Sequence, residues 1–308
     1  MKKISVILYV IIMNSFIFSQ CTPIEVSVYV SEGAKIEIRG KALIVGEPDR
    51  RIQFSHVPGS EFVEDDAGDG ELPDAPPKWR GVKIVDTLDP ENLIVCTDID
   101  SAQDDEGAIG VIKSQCVLDD VSFARTHIRM IYTEDASVII RNSIFPDMFT
   151  ESERPAELGL DNISEHIKGV GEIPEGGRYI IKNNIFGKNK GHNDVIDVDS
   201  GWRPEPIVQI IGNYFEGAGD ELCDLGGDVY LSENVFLNVF KDDETSDRGY
   251  ANAISTGDVG PDATFVIARN IFSDVDHAIS LKIQSAAIFE SNTVHKIHPD
   301  FLDRFDNP

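Results

Sequence analysis

A short phrase recurs from residue 118 onward and restricts the class of fold that this chain can adopt. Five copies are an alternating apolar run with Asn two positions before an aromatic or aliphatic residue, and the two earliest are weaker copies without this Asn. The closing residues of successive copies are 22, 41, 29, 21, 36 and 22 residues apart, which indicates a unit of about 22 residues with insertions. The copies end at Phe123, Phe145, Phe186, Phe215, Phe236, Phe272 and Val294.

A repeat of this length built from short strands is typical of a β-solenoid. The leucine-rich repeat has a similar period, but its L-x-x-L-x-L phrase is absent. Asn tolerates the left-handed backbone of a tight corner, and stacked Asn side chains can hydrogen-bond along a ladder. The pattern therefore predicts an all-β parallel β-helix with coils of about 22 residues, loop insertions, an Asn ladder and a core stack of the closing aromatic rings.

A second phrase precedes each corner and supplies one strand per coil. Because side chains alternate between the two faces of a strand, the second residue of each phrase points inward and the third outward. The predicted outward column reads Gly110, Tyr132, Lys168, Asp197, Asp224, Ser255 and Ser280. The phrases are Ala108–Val111, Met130–Thr133, His166–Gly169, Val195–Val198, Leu222–Leu225, Ala253–Thr256 and Ala278–Leu281.

Neighbouring coils lie about 4.8 Å apart, so this register stacks Asp197 on Asp224, with Asp199 on the same face. Such carboxylates repel unless a proton, a lysine or a divalent cation lies between them. Calcium suits three hard oxygen donors in flexible geometry, so Asp197, Asp199 and Asp224 are the candidate metal ligands. The competing interpretation is that these acids form a solvated face of an acidic protein.

Lys168 lies one coil from Asp197 in the predicted register. It is a candidate general base, since a neighbouring cation would lower the pKa of its amine. The alternative is a salt bridge that neutralises Asp197, because ion-pair networks often imitate active sites.

The formal net charge of −27 and the pI near 4.5 argue against nucleic acids and anionic membranes as partners, since both would repel the chain. Cations, or substrates held through cations, are the natural partners. Met1-Lys-Lys followed by an apolar run to Phe18 predicts a signal peptide over residues 1–19 and no membrane span. Lipidation at Cys21 is the alternative, but Gln20 occupies a position where that signal has a small residue.

The predicted solenoid covers residues 24–297, and residues 298–308 form a tail without a strand pattern. Four cysteines do not make a disulfide framework in a chain of 308 residues. Aligning the two early strands places Cys116 level with Ile94 and Cys96 level with Leu118, which is too diagonal for a bridge, so free thiols are expected.

The opening phrases Gly46–Phe54 and Trp79-Arg-Gly-Val82 resemble the first coils of secreted bacterial right-handed β-helix proteins. Residues 90–297 resemble the pectin-lyase-like right-handed β-helix superfamily, and polygalacturonases come closest in local phrasing. The matching segments are His192–Asp197, Asp220–Cys223, Ala251–Gly257 and Ser280–Lys282. Glu221, Asn252 and Ser280 stand where that family has Asp, His and Arg, respectively.

The polygalacturonase resemblance implies that Asp194, Asp220 and Glu221 occupy the acid and base positions and that Lys282 binds a substrate carboxylate. The lyase resemblance instead implies that calcium binds a uronate carboxylate while Lys168 abstracts a proton. Tyr132 is a second expected substrate contact on the same face.

We therefore expect a secreted or cell-surface protein that binds or processes extracellular polysaccharide, containing uronate if it is a lyase. Whether it is a lyase, a hydrolase or a binder stays open at this point. The rival expectation is a non-catalytic structural or adhesion-type solenoid whose acids confer solubility.

Overall fold

A computed structural model describes residues 26–31, 33–56, 79–126, 128–148, 165–191, 193–241, 250–256, 263–282 and 285–297. The predicted signal peptide, Cys21, His192 and the tail at residues 298–308 lie outside the described residues.

Every regular element within these ranges is a β-strand. In chain order the strands are β1 Val26–Val30, β2 Ile36–Ile38, β3 Leu43–Val45, β4 Ile52–His56, β5 Val82–Val85, β6 Leu93–Asp100, β7 Ile109–Ile112, β8 Gln115–Ala124, β9 Arg129–Glu134, β10 Ser137–Arg141, β11 Ile144–Phe145, β12 Glu165–Val170, β13 Tyr179–Lys182, β14 Ile185–Phe186, β15 Ile196–Asp199, β16 Val208–Ile211, β17 Tyr214–Phe215, β18 Glu221–Leu225, β19 Val229–Ser232, β20 Val235–Val239, β21 Asn252–Thr256, β22 Thr264–Ala268, β23 Ile271–Val275, β24 Ala286–Glu290 and β25 Thr293–Ile297.

The described strands form two parallel sheets. One contains eight strands in the order β2-β5-β7-β9-β12-β15-β18-β21, and the other contains the remaining seventeen. Each strand pairs in parallel with its counterpart in the next repeat, as β15 does with β18, β16 with β19 and β17 with β20. This arrangement agrees with the predicted all-β class and is consistent with a parallel β-solenoid.

The strand register follows the repeat that the sequence predicts. The closing aromatic residues pair from one repeat to the next, Phe186 with Phe215 and Phe215 with Phe236. Their rings stack with centroids 4.8 Å and 5.0 Å apart, and the stack continues to Phe145 on one side and Phe272 on the other. Of the residues predicted to point inward, Ile131, Ile167, Ile196, Cys223 and Ile254 are fully buried, and Ile279 is partly buried.

The predicted Asn ladder is present, but its conformational explanation was wrong. Asn184 donates from its backbone N and from Nδ2 to Asn213 Oδ1, at 2.9 and 3.0 Å, and the same contacts repeat through the ladder. The left-handed residue of each corner is the one before the ladder Asn, such as Asn183 with φ 56°. The ladder side chain is buried, whereas Asn183 is exposed, so the bend and the hydrogen bonds belong to adjacent positions. The ladder comprises Asn184, Asn213, Asn234, Asn270 and Asn292.

Cys96, Cys116 and Cys223 are free and buried, as expected. The predicted register of the two early strands was wrong by two residues, because Ile94 pairs with Leu118 rather than lying level with Cys116. Cys96 instead contacts Asp120, with Sγ 3.3 Å from Oδ2. In the described part of the chain there is no helix with the length and hydropathy that a membrane crossing requires.

Candidate functional site

The eight-stranded sheet aligns the predicted outward column. Tyr132 pairs with Lys168, Lys168 with Asp197, and Asp197 with Asp224. The column continues through Ser255, which pairs with Asp224. Isolated bridge pairing then joins Ser255 to Ser280. The alternation of side chains along the strands therefore brings residues that are distant in sequence onto one stripe.

Two lysines neutralise the stacked aspartates of this column. Lys168 Nζ donates to Asp197 Oδ2. Lys282 Nζ lies 3.2 Å from Asp224 Oδ2. Burial lowers the pKa of Lys168, but the carboxylates of Asp197, Glu165 and Asp199 together raise this pKa above its ordinary value. The salt-bridge alternative for Lys168 is thus the arrangement present, and two of the three predicted metal ligands already have a lysine partner.

Asp199, the third predicted metal ligand, lies at the end of β15. Burial and then the nearby Asp197 raise the pKa of Asp199 to about 6. Burial also raises the pKa of Asp224 to about 6, even though Lys282 acts in the opposite direction. Both carboxyl groups therefore hold protons more tightly than exposed aspartates do.

A tighter group, which we call the carboxyl cluster, consists of Asp194, Asp220 and Glu221. One oxygen of each residue lies within 4.8 Å of the others. Asp194 and Glu221 meet because each stands two residues before the paired positions Ile196 and Cys223. Asp220 and Glu221 are 3% and 2% exposed, whereas Asp194 is partly exposed.

Asp194 and Glu221 of the carboxyl cluster hold protons more tightly than exposed carboxyl groups do. Burial and then the Glu221 carboxylate raise the pKa of Asp194 well above its ordinary value. Burial and then Asp220 raise the pKa of Glu221, while a hydrogen bond from Asn252 opposes the shift. Since like charges at this spacing cannot all remain ionised cheaply, a proton or a cation belongs in the cluster.

Polar neighbours position the carboxyl cluster. Asn252 Nδ2 donates to Glu221 Oε1 at 3.1 Å, and Asn252 Oδ1 lies 3.0 Å from His277 Nδ1. Lys241 Nζ lies 3.9 Å from Asp220 Oδ1. Lys241 was missed in the sequence because it lies outside the strand phrases. His277, expected at the surface because it lacks metal-ligand spacing, is instead partly buried and contacts Asn252.

A buried ion pair follows the same line of the sheet and was also missed. Glu165 is 1% exposed and accepts a hydrogen bond from Arg129 Nε at 2.5 Å. Glu165 precedes Ile167 by two residues, as Asp194 precedes Ile196, and Ile167 and Ile196 are paired. This shared position is a sequence signal that could have identified Glu165 as a neighbour of the cluster.

The predicted substrate contacts lie apart along the column. Tyr132 is partly buried, with its Oη 3.3 Å from Glu134 Oε2, and Lys168 separates it from the stacked aspartates. Lys282 is at the opposite end and bonds to Asp224.

The arrangement has two chemical capacities. The carboxyl cluster places a carboxyl group with a raised pKa beside other carboxyl groups, an arrangement that suits general acid and base catalysis. It could also hold a metal ion, since three carboxylates form a donor set that suits a hard cation. The lysine-paired aspartates Asp197 and Asp224 are less available for either purpose than the carboxyl cluster. Comparisons with protein-family models, with curated proteins and with solved structures find no match for this chain.

Proposed function

We propose that this chain is an exported right-handed parallel β-helix protein, related to the pectin-lyase-like superfamily, that hydrolyses glycosidic bonds of an extracellular polysaccharide. The observation that carries the proposal is the carboxyl cluster, in which three carboxyl oxygens lie within 4.8 Å and the pKa of Asp194 is raised well above its ordinary value. Right-handedness is supported by the general rule that parallel strand connections are right-handed in nearly all known cases.

Asp194 is the proposed general acid. It is the partly exposed member of the carboxyl cluster, and its raised pKa favours the protonated form that a general acid needs. Glycoside hydrolysis needs one protonated carboxyl group and one carboxylate near the scissile bond. Asp194 would donate its proton to the glycosidic oxygen as the bond from that oxygen to the anomeric carbon breaks.

Glu221 and Asp220 supply the negative charge of the proposed site. An ionised carboxylate beside the sugar ring stabilises the positive charge that develops at the anomeric carbon. Water then bonds to that carbon, and the proton that it loses returns to the carboxyl cluster, which restores the starting state. Asn252 would hold Glu221 in place through its 3.1 Å hydrogen bond.

The calcium-dependent lyase alternative receives less support. Lys168, its proposed base, is bonded to Asp197, and its raised pKa keeps the amine protonated at neutral pH. A base must be unprotonated to remove a proton from a uronate ring. Calcium at Asp197, Asp199 and Asp224 would also have to displace the amines of Lys168 and Lys282.

Export is proposed from the basic and apolar segment at residues 1–19. The proposed location outside the cell gives access to polysaccharide. A net charge of −27 disfavours polyanionic chains that lack a bridging cation, so neutral or cationic polymers are the preferred substrate class for a hydrolase.

The test is to incubate the protein with neutral, amino-sugar and uronate polysaccharides, with calcium or with a chelator. New reducing ends without ultraviolet-absorbing unsaturated products would support hydrolysis. Unsaturated uronate products that require calcium would replace the proposal with the lyase alternative. Absence of both products, together with no binding to any polymer, would leave the structural or adhesion-type solenoid.

A further inference from the structure

A concave site lies away from the carboxyl cluster, where the chain leaves β12 and β15 and turns toward the other sheet. It is a cavity of about 390 Å³, within the range of roughly 300–1,000 Å³ that is common for small-molecule sites. Its lining comprises Glu172, Ile173, Pro174, Glu175, Gly201, Trp202 and Glu205.

The indole of Trp202 is the distinctive wall of this cavity. Trp202 is partly buried, and its Nε1 is shielded from solvent and has no hydrogen-bond acceptor among the described residues. Because solvent does not reach this N–H group, a bound molecule would contact the carbon surface of the ring rather than Nε1. Ile173 and Pro174 add apolar surface to the same cavity.

Three carboxylates give the cavity a negative charge. Glu172, Glu175 and Glu205 are exposed, and none of them forms an ion pair with a described lysine or arginine. The adjacent Arg203 is directed elsewhere, because its Nη1 lies 2.8 Å from Asp228 Oδ1. The cavity therefore joins an aromatic face to uncompensated negative charge.

We propose that this Trp202 cavity binds a sugar unit that carries a protonated amine, as in a glucosamine-containing polymer. The indole face would take the flat C–H face of the ring, and a cation beside an aromatic ring is attracted by the ring electrons. The glutamates would bind the ammonium group and the hydroxyl groups of the sugar. A metal ion fits less well, since it favours oxygen donors on all sides rather than an apolar and aromatic wall.

Sugar binding at the Trp202 cavity goes beyond the proposed hydrolytic activity and can be present or absent independently of it. The experiment uses the Asp194→Asn variant, so that hydrolysis cannot consume the probe, and follows tryptophan fluorescence. The chain has two tryptophans, and Trp79 is fully buried with its Nε1 bonded to Asp100 O at 2.8 Å. Trp202 is therefore the fluorophore that a bound sugar would perturb.

The probes are a glucosamine hexamer at mildly acidic pH, its fully N-acetylated counterpart and calcium chloride. We expect saturable binding of the glucosamine hexamer and affinity about tenfold weaker for the acetylated hexamer, which lacks the positive charge. Trp202→Phe should abolish the fluorescence change. Glu175→Gln with Glu205→Gln should weaken binding measured by calorimetry, with circular dichroism confirming that the fold is retained.

Equal binding of the charged and acetylated hexamers would overturn the assignment of an amine. A fluorescence response to calcium chloride but not to the glucosamine hexamer would assign a metal ion instead. Tighter binding of a lysine hexapeptide than of the glucosamine hexamer would assign a protein partner, which also contradicts the proposal.

Discussion

Lys168 on β12 and Asp197 on β15 occupy paired positions on adjacent strands, and the lysine amine donates a hydrogen bond to the aspartate carboxylate. Asp197 also pairs with Asp224 on the next strand, so the ion pair neutralises one of two stacked aspartates. The same contact contributes to the raised pKa of Lys168. A lysine that holds its proton more tightly is suited to a structural role rather than to the role of a base.

The ion pair should be a measurable source of stability. We expect Lys168→Met to lower the free energy of unfolding by about 1–3 kcal/mol, because a partly buried Asp197 then lacks a counter-charge beside Asp224. Asp197→Asn in the same chain should recover about 1 kcal/mol or more in a double-mutant cycle measured by urea unfolding.

The matched control for this cycle is Lys113→Met. Lys113 is 57% exposed and its Nζ lies 3.9 Å from Glu134 Oε1, so its loss should change stability by no more than about 0.5 kcal/mol. Strictly additive effects of Lys168→Met and Asp197→Asn would contradict the proposed coupling.

Asp199 should make the stability depend on pH. Its pKa is about 6 in the folded protein and near its ordinary value of 3.8 when unfolded, so the folded state binds the proton more tightly. This contribution is complete below the unfolded pKa and is lost as pH rises through about 6. Relative to the parent, Asp199→Asn should therefore gain about 1–2 kcal/mol between pH 4 and pH 7, after allowance for partial solvent exposure.

Thermal unfolding of the parent and the Asp199→Asn variant across this pH range measures the difference directly. Comparing the two proteins removes the contribution of other titrating groups, such as buried His166, whose pKa burial lowers to about 4. Parallel pH profiles for the two proteins would show that Asp199 is not perturbed.

Adjacent asparagines at one corner should respond very differently to substitution. Asn184→Ala removes the acceptor of Ser143 N–H and the donor to Ile140 O, so we expect a loss of about 3 kcal/mol from buried unpaired groups. Asn183→Gly should change stability by only about 0.5 kcal/mol, because Asn183 is exposed and glycine readily adopts its φ of 56°. Chemical denaturation of both variants is the measurement, and equal losses would refute the ladder as the source of stability.

The sequence was sufficient to predict the strand class, the repeat and the register of the face that carries Asp197 and Asp224. Two patterns determine that register. Side chains alternate between the two faces along each strand, and closing residues such as Phe215 and Phe236 recur once per repeat. The offset of Cys96 and Cys116 was predicted wrongly because a shift of two residues preserves the alternation of side chains, so alternation alone does not distinguish the two registers.

Other features depend on contacts that periodicity does not specify. The pairing of Lys168 with Asp197 was one of two alternatives, and only side-chain placement separates an ion pair from a free base. The Asn252 contact with His277 joins neighbouring repeats through side chains. Trp202 belongs to an insertion between strands, where no repeat predicts its neighbours.

The most direct test of the proposed function is the rate of reducing-end release by the parent protein and by Asp194→Asn, measured on the polysaccharide that the parent cleaves. Removal of the proposed general acid should reduce the rate by about 10²–10⁴-fold. Asp105→Asn is the matched control, because Asp105 is exposed and the side-chain substitution is the same. A parent-like rate for Asp105→Asn with a severe loss for Asp194→Asn is the predicted result, and parent-like rates for both variants would contradict the proposed role of the carboxyl cluster.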